Sequence, residues 1–417
     1  MVQSGHVLTL GMAAGEPREF LSGLHTVAQR VKDVTITNCL PTVMAPYLTE
    51  FERYDAFRVE SWFMSPLLRK LHATGRVSFI PNNLRFAGQK RNAAIHTDIL
   101  LASASMPQPD GKIYLASGNV FEAETAKTAG TVILEISPKL PRLTGDCYIE
   151  WDDVDHLILA DYELPTLPDA EPDDKDRLIG KQIAELVNDG DCIQVGIGGI
   201  PNALCAYLAD KRDLGVHTEM MTTGIMRLMK SGAVNNSKKQ VNIGKSVFCF
   251  AFGTSELYHF MDGNPDLMCN PGAVVNDPYV IAKNDNQVSI NTTIEIDLTG
   301  QCCSESIGHV QFSGTGGQSD TAVGAQMSKN GRSIIALYST TKNDSVSKIV
   351  PTLKPGAAVS LSRNDVDFVV TEYGVVRLRG LSIAQRAKML ISIAHPKFHD
   401  ELLGAAHELG FTGPDWS

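Results

Sequence analysis

Short β-branched runs alternate with helix-patterned stretches along this chain. That alternation limits what the chain can fold into more than any other feature. Val34-Thr35-Ile36-Thr37, Val77-Ser78-Phe79-Ile80, Asp98-Ile99-Leu100-Leu101 and Val132-Ile133-Leu134-Glu135-Ile136 read as strands. Residues 20–32 predict a helix with Phe20, Leu24, Val27, Ala28 and Val31 on one side. A helix between successive strands leaves those strands parallel, so the predicted fold class is α/β with largely parallel, Rossmann-type sheets. With 417 residues, 43% apolar and 20% charged, the chain is long enough for two or three domains and excludes disorder, collagen and coiled coil.

The clearest break is Leu164-Pro165-Thr166-Leu167-Pro168-Asp169-Ala170-Glu171-Pro172-Asp173-Asp174, rich in proline and acid and without apolar period. It reads as an exposed linker. The division it predicts is an N-terminal α/β domain over 1–165 and a C-terminal α/β domain over 176–417. A helix over 177–188, a turn at Asp189-Gly190-Asp191 and a strand, Cys192-Ile193-Gln194-Val195, open the second part. A faint repeat joins the two parts. Val7-Leu8-Thr9-Leu10 leads into Gly11-Met12-Ala13-Ala14-Gly15-Glu16-Pro17 and a helix. Ile193-Gln194-Val195 leads into Gly196-Ile197-Gly198-Gly199-Ile200-Pro201 and a helix from Asn202. Two copies of one α/β unit facing each other across a cleft would produce this pattern. So would two unrelated βα turns of similar composition.

Lys+Arg 37 against Asp+Glu 47 leaves a net charge of −10, a poor basis for binding nucleic acid or an anionic membrane. A phosphorylated ligand would have to be held by backbone geometry and a few placed cations. No stretch approaches 18 consecutive apolar residues, and the opening residues lack the basic and apolar regions of a signal peptide, so a cytoplasmic protein is expected. The eight cysteines are scattered without a C-x-x-C pair, and the 11 histidines form no H-E-x-x-H group. Buried reduced thiols and no metal site are the expectation.

Three segments carry candidate chemistry. Gly196-Ile197-Gly198-Gly199-Ile200-Pro201-Asn202 stands between a strand and a helix, where glycines let a ligand approach the backbone and the helix start offers unpaired N–H groups. That suits a phosphate or a developing oxyanion. The alternative is a tight turn without a ligand. It is neither a P-loop nor G-x-G-x-x-G, because Pro201 stands where the third glycine belongs. Phe312-Ser313-Gly314-Thr315-Gly316-Gly317-Gln318 is a second cluster, a turn or a nest of N–H donors, followed by a helix and the strand Ser333-Ile334-Ile335-Ala336-Leu337. Between them, Glu219 sits among Met, Thr and Gly at the end of a short strand-like run. It is either a solvated surface residue or a reacting group at the carboxyl edge of a sheet. Glu256, Glu305 and Glu372 are its local rivals.

Together these segments resemble the acetyl-CoA hydrolase/transferase family, and within it the 4-hydroxybutyrate and butyrate CoA-transferases. The resemblance rests on Gly196 to Ala203 and His217-Thr218-Glu219-Met220. It extends through Tyr279-Val280-Ile281-Ala282, Asn286-Gln287-Val288-Ser289-Ile290-Asn291, residues 312–317, Ser362-Arg363-Asn364-Asp365-Val366, Val370-Thr371-Glu372-Tyr373-Gly374 and Ile393-Ala394-His395-Pro396. The order and spacing of these motifs carry it over nearly the whole chain. The start is short against that pattern, so a leading helix is expected to be missing.

The resemblance implies two similar open α/β domains with the active site in the cleft between them, and Glu219, carried by the C-terminal domain, as nucleophile. It implies contacts to coenzyme A from Gly196, Ile197, Gly198, Gly199 and Ile200, from Gly314, Gly316 and Gly317, and from Asn291. It implies acyl-CoA and a short carboxylic acid as substrates, no tightly bound cofactor, no metal, and a homodimer. The chemistry implied is ping-pong transfer. A carboxylate attacks the acyl-CoA carbonyl to give an acyl-glutamyl anhydride and CoA thiolate. The thiolate then attacks the glutamyl carbonyl, leaving a glutamyl-CoA thioester, and a second acid reverses the sequence. Backbone N–H groups of Gly198-Gly199 or Gly316-Gly317 are the donors available for the oxyanions, each worth about 3 kcal/mol. An acetyl-CoA hydrolase and a non-catalytic acyl-CoA sensor are the alternatives.

Overall fold

Strands buried on both faces need helices on both sides, and the inner strands of this chain are of that kind: all six residues of Ile99–Ala104 are buried. The structure, a computed structural model, describes residues 1–413 and 416. It divides into two units. The first comprises Met1–Pro168, Thr218–Thr223 and Lys245–Asn276; the second comprises Asp169–His217, Gly224–Gly244 and the chain from Asp277 onward. The division differs from a single cut at the linker. Two later stretches return to the first unit because their short strands pair there, and Glu219 goes with them.

The first unit is built on a seven-stranded, wholly parallel sheet. Its strands are β1 (Val7–Leu10), β2 (Val34–Asn38), β3 (Phe57–Ser61), β4 (Val77–Phe79), β5 (Ile99–Ala104), β6 (Thr131–Ile136) and β7 (His156–Leu159). They lie in the order β4-β3-β2-β1-β5-β6-β7. The chain winds outward from β1 on one side and from β5 on the other, so the switch point lies between β1 and β5. Alternate residues feed opposite cores: Leu101 and Ile133 pack with Leu8, Phe57 and Tyr47, while Leu100 and Val132 pack with Ile113 and Ile149. Helix α1 spans Arg18–Leu24 and gives way to a tighter turn, His25–Val27, so the helix predicted over 20–32 stops early. The Thr26 hydroxyl donates to the Gly23 carbonyl at 2.7 Å, competing for an acceptor the helix would need to continue.

The second unit opens with α2 (Asp174–Glu185), closed at its start by reciprocal bonds between Asp173 and Asp176. Its sheet comprises β8 (Cys192–Val195), β9 (Gly215–Val216), β10 (Gln287–Thr292), β11 (Arg332–Ala336), β12 (Phe368–Thr371) and β13 (Gly374–Arg377). The order is β9-β8-β10-β11-β12-β13, parallel except for β13. The chain leaves β8 toward β9 and leaves β10 toward β11, which puts this sheet's switch point between β8 and β10. The strand–turn–helix repeat read in the sequence thus falls on the inner strands β1 and β8, each beside its own switch point. Helix α3 (Gly199–Leu208) begins three residues before the expected Asn202, with Gly198 as its cap, and Pro201 occupies a position where no N–H is needed. All eight cysteines are buried free thiols.

Candidate active site

Glu219 lies just ahead of the short strand Met220–Met221, which pairs in parallel with Phe250–Ala251. Its carbonyl accepts from the N–H groups of Cys249 and Phe250 at 3.0 and 3.2 Å. Behind that strand runs the segment 117–119: Gly118 bridges Phe250, Asn119 donates to the Cys249 carbonyl at 2.8 Å, and Ala251 donates to the Ser117 carbonyl at 2.7 Å. Gly118 has φ +152°, and a Cβ there would lie 2.3 Å from the Cys249 oxygen, so only glycine fits this close approach. The Glu219 side chain is half-buried. Its Oε2 accepts from Nδ2 of the fully buried Asn276 at 2.7 Å. An amide N–H donating to a carboxylate favours the ionised form.

Glu16 and Glu122, two of the other buried carboxylates of this unit, form no ion pair among the described residues. Glu122 accepts from the N–H groups of Met12, Val120 and Phe121 at 2.8, 2.7 and 2.9 Å. Burial pushes its pKa up, opposed by those bonds. Glu16 accepts from the N–H groups of Thr42 and Val43 at 2.6 and 2.8 Å, and burial pushes its carboxyl up to about 7. The thiol of Cys39 is raised first by burial, then by the carboxylates of Glu219, Glu122 and Glu16. The turn after β1 is therefore filled from within: residues 11–16 are buried, and the Glu122 carboxylate occupies the Met12 N–H.

The turn after β8 differs in being open. A Cβ at Gly196 or Gly198 would meet nothing within 4 Å, and Ile197 is exposed. Gly198 adopts φ 117° and ψ −174°, a conformation nearly restricted to glycine. At Gly199 a Cβ would lie 2.0 Å from the Asp176 carboxylate, so α2 can seat against the turn only because that side chain is missing. Ile197, Gly198, Gly199, Ile200 and Pro201 form one wall of a pocket of about 260 Å³; Thr293, Ser304, Tyr338 and Lys348 contribute to the rest. Burial lowers the Lys348 ammonium pKa, and its Nζ sits 5.1 Å from the Tyr338 ring centre. Tyr338 and Lys348 also line a neighbouring pocket of about 560 Å³ with Lys175 and Lys342. Helix-start N–H groups beside a half-buried cation can hold an anion or polarise a carbonyl.

Asn291 is in this unit, with Nδ2 committed to Ser289 Oγ, Thr321 Oγ1 and Gln194 Oε1 at 2.9, 3.1 and 3.3 Å. That network ties β8, β10 and α4 (Gln318–Met327) together beneath the turn. Gly316 takes φ +56° and Gly317 caps α4; with Gly314 they lie on the loop entering that helix and are not in the wall of the 260 Å³ pocket. Glu305 pins this loop, its carbonyl accepting from Phe312 and Ser313 and its Oε2 from Thr315. Glu372 is held by the Ser339 N–H and hydroxyl, both at 2.9 Å, and by Lys175 at 3.3 Å. Glu256 is exposed in the first turn of the helix Ser255–Met261. Two of Glu219's rivals are thus fastened in supporting roles. Asn276 and Lys348 escaped the sequence reading, because a lone amide and a lone lysine carry no motif and acquire meaning only through partners distant in the chain.

No helix among the described residues is long and apolar enough to cross a membrane. Residues 1–167 match the acetyl-CoA hydrolase/transferase N-terminal domain, and residues 253–406 match the acetyl-CoA hydrolase/transferase C-terminal domain. The chain is 43% identical to a protein named succinyl-CoA:cyclohexane-1-carboxylate CoA transferase from Geobacter metallireducens, over 98% of this chain and 93% of that one. It is 39% identical to 4-hydroxybutyrate coenzyme A transferase from Clostridium kluyveri, over 94% and 91%. Among solved structures, RipA from Yersinia pestis superposes with a TM-score of 0.92 at 35% identity, covering 98% of this chain and 95% of RipA.

Proposed function

The chain belongs to the acetyl-CoA hydrolase/transferase family, and we propose that it moves CoA from acetyl-CoA or another short acyl-CoA to a short carboxylic acid such as 4-hydroxybutyrate or butyrate. The observation that carries this reading is the Glu219 carboxylate held by Asn276 at 2.7 Å. Transfer between two acids needs a nucleophile that is already ionised, and needs neither a proton acceptor nor a redox centre.

In the proposed sequence, the Glu219 oxygen not held by Asn276 attacks the thioester carbonyl, and CoA leaves as thiolate. The acyl group is then joined to Glu219 as an anhydride. The thiolate attacks the glutamyl carbonyl carbon, whose oxygen is Oε2, and the first acid departs as carboxylate. The negative charge that develops on Oε2 falls on the atom Asn276 already holds. Asn276 therefore acts where charge appears in this step, the position in which a fixed donor lowers a barrier most. The second acid attacks the glutamyl-CoA thioester, and the sequence runs backward.

Gly196, Ile197, Gly198, Gly199 and Ile200 are proposed contacts of coenzyme A, as are Gly314, Gly316 and Gly317. Support for the first five is an open turn, a helix start and a half-buried lysine in one unit; support for the last three is their place on the loop entering α4 in the same unit. Asn291 is proposed to serve the same ligand through the network that fixes the turn. Coenzyme A is substrate and not resident cofactor in this reading, and the protein acts in the cytoplasm as a homodimer.

The test is mass spectrometry of the protein after treatment with acetyl-CoA, with borohydride reduction in parallel. A CoA adduct at Glu219, loss of activity on reduction, and CoA transfer that requires added carboxylate are expected. Glu219→Gln abolishes all three. CoA release that ignores the added acid would make the protein a hydrolase, and binding without an adduct would make it a sensor.

A further inference from the structure

Glu122 is a buried carboxylate that the proposed reaction does not use. Both its oxygens accept from main-chain N–H groups only, Oε1 from Met12 and Oε2 from Val120 and Phe121. Three donors and no acceptor match an ionised carboxylate and nothing else of that shape. A glutamine there would turn an NH2 group toward a main-chain N–H.

These bonds join two places. Met12 lies in the turn at the carboxyl end of β1, beside the switch point of the first sheet. Val120 and Phe121 continue directly from the segment 117–119. That segment meets the strand Phe250–Ala251 through Asn119 N–H to the Cys249 carbonyl and Ala251 N–H to the Ser117 carbonyl. Cys249 and Phe250 in turn donate to the Glu219 carbonyl. A continuous run of main-chain bonds, all inside one unit, thus leads from Glu122 to the backbone of Glu219. We infer that Glu122 is a positioning residue for the nucleophile, clamping the β1 turn to the segment that backs the Glu219 strand.

Glu122 lies near enough for its charge to act on Cys39 and Cys249, the two thiols on which Glu219 also acts. The first unit's glycine turn corresponds in the repeat to the open turn after β8. There the turn walls a pocket, whereas here the Met12 N–H in the turn is taken by the Glu122 carboxylate, and the helix-start N–H groups of Glu19 and Phe20 are taken by Glu135.

The inference rests on Glu219 being the nucleophile, and the experiment separates the two. Wild-type protein and Glu122→Gln are mixed with acetyl-CoA in single turnover, and the glutamyl-CoA adduct is followed by quenching and mass spectrometry. Acetyl-CoA affinity is measured in parallel by titration. Expected is an adduct at Glu219 in both proteins, forming about 10–100-fold more slowly in the variant, with affinity unchanged within about twofold. A purely structural role would reduce the fraction of active protein, not the rate in the active fraction. An unchanged rate, or a rate and affinity that fall in proportion, overturns the inference. No adduct at Glu219 in the wild type overturns the nucleophile assignment instead. Should Glu122→Gln not fold, Glu122→Asp carries the same test: it keeps the charge, shortens the reach, and is expected to slow adduct formation less severely.

Discussion

Removing the Asn276 amide isolates one donor at the proposed reaction centre. In Asn276→Ala, Glu219 Oε2 loses the N–H now 2.7 Å away. A hydrogen bond to a charged group is worth about 1.5–3 kcal/mol, and a donor to a developing oxyanion about 2.7–4 kcal/mol. The proposed sequence places the charge on Oε2 in the transition state, so the larger range applies to kcat. Taking about 3 kcal/mol, and tenfold per roughly 1.4 kcal/mol, kcat is expected to fall about 150-fold. The amide holds Glu219, and in the proposed reading it contributes nothing to holding the CoA nucleotide, so KM for acyl-CoA should stay within about threefold. The assay is exchange of CoA between acetyl-CoA and butyrate, resolved by chromatography of the CoA thioesters. Single-turnover quenching should show the anhydride-to-thioester step slowed. Asn276→Asp sharpens the test. Two carboxylates in hydrogen-bond contact share a proton, so activity in this variant should rise toward acid pH where the wild type declines. A kcat for Asn276→Ala within about threefold of wild type would refute the placement of charge on Oε2.

Gly198→Ala forces a side chain into a conformation nearly exclusive to glycine, although no atom is in the way. A stability loss of about 1–3 kcal/mol by urea titration and a KM for acyl-CoA raised at least tenfold are expected, whereas Gly196→Ala should leave stability within about 0.5 kcal/mol. Gly118→Ala places a methyl 2.3 Å from the Cys249 oxygen and should lower the melting temperature and abolish activity together, since the N–H groups of Cys249 and Phe250 hold the Glu219 carbonyl. Glu16 contributes a distinct pH dependence. Its carboxyl is raised in the folded chain from 4.5 to about 7. Keeping it neutral therefore stabilises the protein at low pH, and that contribution is lost as pH rises through about 7. The loss is on the order of 3 kcal/mol, and melting curves from pH 5 to 8 should show Glu16→Gln gaining on the wild type as pH increases.

The parts of this molecule written in local chemistry could be read from the chain. β-branched runs marked most inner strands, Gly and Pro marked both βα turns, and a proline-rich acidic stretch marked the main crossing from one unit to the other. Glu219 was one of four candidate glutamates on its local sequence, and the family resemblance singled it out. What stayed hidden depends on residues far apart in sequence. The return of Thr218–Thr223 and Lys245–Asn276 to the first unit follows from strands of two or three residues, too short to leave a periodic signal. Asn276 gains its role from a partner 57 positions away. Lys348 gains its role from the pocket it borders. Glu16 and Glu122 were visible as letters, but only the fold shows that both are buried with main-chain donors instead of cations.

The shared ownership of chain segments has a consequence for synthesis. When the ribosome has made residue 168, the first sheet is complete, yet the strand that Gly118 and Asn119 must meet does not yet exist. At typical elongation rates of 5–20 residues per second, roughly 5–20 s pass before residue 276 is made. During that interval part of the other unit is already leaving the tunnel. Translational order and folding order are therefore out of step in this protein. Two polypeptides divided at the proline-rich stretch should each emerge incomplete, and regain catalysis only when made together.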